Sequence, residues 1–150
     1  MPTTTIAWAL AQQVATLIDA KAATTGATVS AAWPGDKNAK SQMVVVEELK
    51  ATDVTIPGSK SGRVERDETI SMVVKVYVGG QALRTADAVM DRCSELIAAV
   101  EDVFADDMSL ATSGVWQSQV TEYGFDYAEL AEGGWMCVGS VSVEVKVRLL

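Results

Sequence analysis

The chain has 150 residues, 49% of them hydrophobic, which suits one domain with a buried core. It contains no histidine, which excludes a histidine-activated serine or cysteine nucleophile and removes the commonest general base and metal ligand. The formal net charge of −8 disfavours sequence-specific DNA binding, because an acidic surface repels the phosphate backbone.

The first half of the chain predicts one helix and then extended segments. Apolar residues recur every three or four positions from Ile6 to Ile18, which indicates an amphipathic helix. A short extended piece at 28–33 and a β-branched strand from Met43 to Leu49 follow. Residues 51–66 contain two glycines and a proline, so we expect an extended flexible loop between two strands at about 51–66.

The second half begins with the clearest strand pattern. Apolar residues alternate from Ile70 to Val78, and Gly79 and Gly80 end the run. Helical spacing from Ala86 to Phe104 predicts the second helix. Val115 to Tyr123 predicts a fourth strand and 124–134 a connector. Alternation from Ser140 to Leu149 predicts the last strand.

The order of elements is therefore α-β-β-β-α-β-β. Hairpin-like links favour a mixed or mainly antiparallel sheet, and two amphipathic helices can cover one of its faces. We predict a single α+β domain over 1–150 with two layers. Cys93 lies on the apolar side of the second helix and Cys137 in a strand, so both are expected to be buried free thiols.

Negative charge is concentrated in one part of the chain. Residues 81–132 carry eleven acids and two bases. Asp87, Asp91 and Glu95 recur every fourth residue, which puts their carboxylates on one side of the second helix. A solvated helix surface explains this pattern most simply. The wall of an acidic channel or assembly is an alternative, as is the acid/base or metal cluster of a small hydrolase.

Neither a nucleophile motif nor a metal-ligand pattern supports the hydrolase alternative. The two cysteines and scattered carboxylates do not match the ligand spacing of a zinc site. We therefore predict no enzymatic activity, catalytic residue, metal or cofactor.

Aromatic residues cluster towards the end of the chain. They are Trp116, Tyr123, Phe125, Tyr127 and Trp135. Core packing is the simplest interpretation, and an interface is the alternative because two of them fall in the glycine-flanked connector. Stacking on nucleic acid would need interleaved lysine or arginine, and residues 115–135 contain none.

The chain resembles the tail terminator, or tail completion, proteins of long-tailed bacteriophages. The resemblance covers essentially the whole chain and consists of the order of its elements. These are the helix TTTIAWALAQQVATLIDAKAA, the strand ending in VVVEEL, the loop leading into RDETISMVVKVYV, the helix RTADAVMDRCSELIAAVEDVF and the closing strand GSVSVEVKVRLL.

The resemblance implies a structural virion protein. Such proteins form a ring, commonly a hexamer, that caps the head-proximal end of the tail tube and stops its polymerisation. The implied partners are further copies of the chain, the tail tube protein and the head–tail connector or head closure protein. DNA passes as cargo without specific binding, and no membrane is involved. A neck or head–tail adaptor protein, or a tail tube subunit, is the alternative.

The resemblance also implies a location and two sets of site residues. The protein is expected in the tail or neck of the virion, after assembly in the host cytoplasm. The loop becomes a candidate interface with a neighbouring subunit or the tube, through Val54, Ile56, Pro57, Lys60, Arg63 and Arg66. Tail lumens of this kind are acidic, which lets DNA slide rather than stick. The candidate lumen-facing acids are Asp87, Asp91 and Glu95.

Overall fold

Five strands form one mixed sheet in the computed structural model, which describes residues 6–33, 42–55, 66–80, 85–130 and 134–149. In spatial order the sheet runs β1-β2-β3-β5-β4. The strands are β1 (Thr28–Ser30), β2 (Gln42–Thr55), β3 (Arg66–Gly80), β4 (Val115–Glu129) and β5 (Trp135–Leu149). The short β1 runs parallel to β2, and the other neighbours pair antiparallel.

Two helices cover one face of this sheet. Helix α1 (Ala7–Asp19) packs over β1 and β2, and helix α2 (Ala86–Asp106) packs over β3, β5 and part of β4. The predicted α+β class and the order α-β-β-β-α-β-β are therefore confirmed. No helix in the described ranges is both long enough and apolar enough to cross a membrane.

The core lies between the helices and the central strands. The alternation in β3 puts Ile70, Met72, Val74, Val76 and Val78 against the helices, each at most 1% exposed. Alternate residues of β5 join the same cluster: Val141, Val143, Val145 and Val147. Periodicity in the sequence predicted these two strands because both are covered on this face.

The two cysteines lie in this core as free thiols, as predicted. Burial raises the pKa of the Cys93 thiol, and the neighbouring Cys137 raises it further. Cys93 is therefore protonated at neutral pH and packs as a small apolar side chain.

Hydrogen bonds stabilise helix α2 at its N-terminus and tie one of its sides to neighbouring segments. The Thr85 side chain caps its first turn by accepting a backbone N–H bond of 3.1 Å. The Arg92 guanidinium donates to the carbonyls of Ala23 and Thr25 at 2.8 and 3.0 Å and to the Gln42 side chain at 2.8 Å. One side chain thereby ties α2 to the segment after α1 and to β2.

The β2–β3 hairpin is longer than predicted. Strand pairing continues through Thr52 with Thr69 to Thr55 with Arg66. Residues 51–55 and 66, which the sequence assigned to a loop at about 51–66, are therefore strand. Threonine and valine favour extended backbone there, which outweighs the turn signals that follow. Residues 56–65 lie outside the described residues.

Strand β4 is also longer than predicted. Residues 124–129, expected as a connector, continue β4 as far as Glu129, and β5 begins at Trp135 rather than at 140. The aromatic residues here have strong strand preference, and Gly124 is accommodated within the strand. Two bulges, at Val115/Gln117 and Val120/Glu122, interrupt the pairing of β4 with β5.

Candidate interaction surfaces

The solvent side of α2 carries an acidic crest, defined as Asp87, Asp91, Glu95 and Asp102. All four side chains are exposed. Glu95 pairs with Arg92 at 3.0 Å, whereas no basic side chain in the described part of the chain pairs with Asp87 or Asp91. The structure thus brings the three candidate lumen acids to one helix surface, where fixed negative charge faces outward.

The acids near the crest do not converge on one point. Within the described residues, no group of three or more Cys, Asp or Glu side chains is arranged to hold a metal ion. Asp107, just beyond α2, accepts hydrogen bonds from the amide and hydroxyl of Ser109 at 2.9 and 2.6 Å. These bonds lower the pKa of the Asp107 carboxyl and close the turn after the helix.

A second surface lies on β4 and is called the aromatic row: Tyr123, Phe125 and Tyr127. These side chains are 45%, 48% and 55% exposed. The predicted core packing is therefore wrong for all three. It is also wrong for Trp116, which is 48% exposed and lies under the Lys146 ammonium, 5.6 Å from the ring centre. Trp135 is half-buried against the core, as expected.

The aromatic row points to the helix side of the sheet but lies beyond the helix. Tyr123 and Tyr127 stand opposite the buried Val141 and Cys137 of β5. Helix α2 packs closely over β5 at Gly139, where an added Cβ would lie 2.4 Å from Ile97 Cδ1. Because the helix is centred there, the last half of β4 extends past its cover.

Acid borders the aromatic row on its helix side. The Glu101 carboxylate of α2 beside the Tyr123 hydroxyl raises the pKa of that phenol. Exposed acids also occur within β4 itself, at Glu122, Asp126 and Glu129. The row therefore combines exposed apolar rings with negative charge, a composition that favours a protein partner over nucleic acid.

A third surface, called the tryptophan groove, lies at the opposite edge of the sheet. Strand β1 ends at Ser30 while β2 continues, and an open groove of about 490 Å³ follows the β2 edge beyond that end. Its walls are Trp8 of α1 and Trp33, about half exposed, and its floor includes the exposed Leu49.

A polar cluster behind the groove holds the β2 bulge between Val46 and Glu48. The Tyr77 hydroxyl donates to the Glu47 carboxylate, and Lys75 lies 3.6 Å from the same carboxylate. Trp33 packs edge-on against Tyr77 with 5.6 Å between ring centres. Partial burial and the bond to Glu47 raise the pKa of Tyr77 to about 12.

The candidate interface residues of the β2–β3 hairpin are placed only in part. Val54 and Arg66 lie in the paired strands at the end of the hairpin. Ile56, Pro57, Lys60 and Arg63 lie outside the described residues. Their role in an interface stays a prediction.

A similar fold occurs among solved structures. No protein-family model and no curated protein sequence matches the chain. Among solved structures, a chain from the virion of a native gene transfer agent particle is 18% identical. The match covers 97% of this chain and 100% of that one, with a TM-score of 0.60. The two chains therefore share one fold over their full length.

A further match is to the catalytic module of a family 98 glycoside hydrolase from Streptococcus pneumoniae. It is 9% identical, covers 71% of this chain and 29% of the enzyme, and has a TM-score of 0.13. That value is too low to indicate a common fold.

Proposed function

We propose that this chain is a non-enzymatic structural protein of a phage-like virion, and more narrowly its tail terminator. In this role one domain of 1–150 forms a ring, commonly a hexamer, on the head-proximal end of the tail tube. The ring stops tube polymerisation and joins the tube to the head–tail connector. The observation that carries this proposal is the full-length match in fold to a chain of a gene transfer agent virion.

The acidic crest supports a role around passing DNA. If α2 borders the lumen, Asp87, Asp91 and Glu95 present fixed negative charge to the phosphate backbone. Such a wall keeps DNA from binding and lets it slide. A conversion of all three acids to lysine is then expected to slow DNA delivery by assembled particles. The matched control changes the same three residues to their amides, which removes the negative charge without adding a base.

The β2–β3 hairpin supports a contact role in the same assembly. Its strands pair as far as Thr55 and Arg66, where β3 still pairs with the end of β5. In this proposal the end of the hairpin contacts a neighbouring subunit or the tube, through Val54, Ile56, Pro57, Lys60, Arg63 and Arg66. In this proposal the chain is assembled in the host cytoplasm and resides in the tail or neck of the virion.

Electron microscopy of the purified protein mixed with growing tail tubes tests the proposal. Rings on one tube end and arrest of tube growth are the expected result. The alternative, a tail tube subunit, would instead give long filaments of this chain alone or on a seed. A neck adaptor would bind the connector and leave tube growth unchanged. Either outcome would overturn the terminator role.

A further inference from the structure

We propose that the aromatic row of one copy docks into the tryptophan groove of the next copy. In this contact β4 pairs antiparallel with the β2 edge, and the sheet continues from subunit to subunit. The inference rests on the proposed function only in that copies of the chain form a ring. It adds which two edges meet and which side chains hold them together.

The sheet offers two edges that can accept a strand. Strand β4 is the last of the order β1-β2-β3-β5-β4, so its outer side pairs with no strand among the described residues. At the other end, β1 covers β2 only from Met43 to Val45. The β2 edge from Glu47 to Thr55 has no strand beside it in the described ranges. Free edges of this length normally pair or are protected.

The strand directions allow these two edges to join. Strands β2, β3, β5 and β4 pair antiparallel in sequence, so β4 runs opposite to β2. A second copy rotated about an axis along the strands brings its β2 beside β4 in antiparallel orientation. Its helices then lie on the same side of the joint sheet. Because the same rotation relates each copy to the next and keeps the strand direction, it generates a head-to-tail ring.

The side chains match on the helix side of this junction. The aromatic row of Tyr123, Phe125 and Tyr127 points to that side from β4. Leu49 points to the same side from β2, since it stands opposite the buried Met72. Trp8 of α1 walls the groove on this side, whereas Trp33 packs against Tyr77 on the other face of the sheet. Exposed apolar surface therefore meets exposed apolar surface, which favours burial of both.

Charge favours this contact over pairing of two β4 strands. Residues 93–145 contain no lysine or arginine, and exposed acids at Glu122, Asp126 and Glu129 lie along β4. Two such edges would bring like charges together. The β2 edge carries the exposed Lys50 beside Glu48, and its Glu47 already pairs with Lys75. The β2 edge thus offers the acidic β4 edge an exposed base, Lys50, whereas a second β4 would offer it acids alone. Because one chain carries both edges, a second copy is the fitting occupant.

Disulfide trapping tests the contact on assembled rings at tube ends. The double variant Leu49→Cys/Phe125→Cys is expected to give a ladder of linked chains up to the closed ring under oxidising conditions. Each single variant is expected to stay unlinked. The native Cys93 and Cys137 are buried and serve as the internal background. Rings that form without any ladder overturn the inference but leave the proposed function intact.

Paired serine variants give a second readout. Phe125→Ser is expected to raise the concentration needed for ring assembly at least tenfold. Trp116→Ser, an equally exposed aromatic on the same strand, is expected to change it less than twofold. Thermal melting checks that both variants fold. Equal effects of the two variants overturn the inference. Absence of any self-association by the wild-type chain, even on tube ends, overturns both it and the proposed function.

Discussion

Strands β3 and β4 have the same length, 15 residues, and both carry alternating apolar side chains. In β3 these side chains are buried, because strands flank it on both sides and helices cover one face. In β4 the last apolar residues are exposed, because the strand lies at the sheet edge beyond α2. The comparison shows that an apolar side chain of this sheet is buried or exposed according to the strands and helices packed around it. The residue types within the strand do not decide this.

The largest expected loss of stability comes from a cavity in the core next to β3. Ile70→Ala removes a side chain with 0% exposure and is expected to lower the free energy of unfolding by about 2–5 kcal/mol. Phe125→Ala on β4 is expected to lower it by less than about 1 kcal/mol, since that ring is half exposed. Urea unfolding of the purified chain measures both. Equal losses would remove the distinction between the two strands.

The next largest loss of stability is expected when the Arg92 hydrogen bonds between α2 and β2 are removed. Arg92→Met removes the three hydrogen bonds that tie α2 to the segment after α1 and to β2, together with the ion pair to Glu95. It is expected to cost about 2–3 kcal/mol of unfolding free energy. Asp91→Asn, one residue away on the acidic crest, is expected to change it by less than about 0.5 kcal/mol. Chemical denaturation of both variants is the measurement. A negligible loss for Arg92→Met would show that these hydrogen bonds are dispensable.

A smaller effect is expected where α2 approaches β5. Gly139→Ala places a Cβ 2.4 Å from Ile97 Cδ1 and 3.0 Å from Cys93 Sγ, and is expected to cost about 1–3 kcal/mol. Gly124→Ala on β4 meets only the Ser140 hydroxyl, which can rotate away, so its cost should be lower. Thermal melts of the two variants decide this. A costlier Gly124→Ala would contradict the idea that the cover is centred on β5.

The smallest effect concerns pH. The pKa of Tyr77 is raised from 10.0 to about 12, so folding favours the neutral phenol. Its contribution is present below pH 10 and is lost as the pH rises towards 12. Because the phenol is partly solvated, we expect about 1 kcal/mol or less. Denaturation at pH 9 and pH 12 measures the loss, and Tyr77→Phe should abolish that part of it.

Much of the fold follows from periodicity. The alternation from Ile70 to Val78 and the helical spacing from Ala86 to Phe104 predicted β3 and α2, because both elements bury one complete face. The same spacing placed Asp87, Asp91 and Glu95 together on the crest. Periodicity says which side chains share a face. It does not say whether another element covers that face, so Tyr123 and Phe125 were wrongly assigned to the core.

Two features of the structure were not predicted, for different reasons. Three partners of Arg92, namely Gln42, Ala23 and Thr25, are 50 to 69 residues away in the chain, so only the folded structure brings them together. The end of β4 did carry a signal, since Tyr123, Phe125 and Tyr127 alternate with other residues as strand side chains do. Gly124 masked it, because a glycine after an alternating run is typical of a strand end, whereas this edge strand accommodates the glycine.

Cryo-electron microscopy of the joint between head and tail, in particles that contain this protein, tests the central claim most directly. We expect a ring at the head-proximal end of the tube whose subunit density fits this five-stranded sheet with its two helices. Subunits of this fold repeated along the tube, or no such density at the joint, would contradict the terminator role.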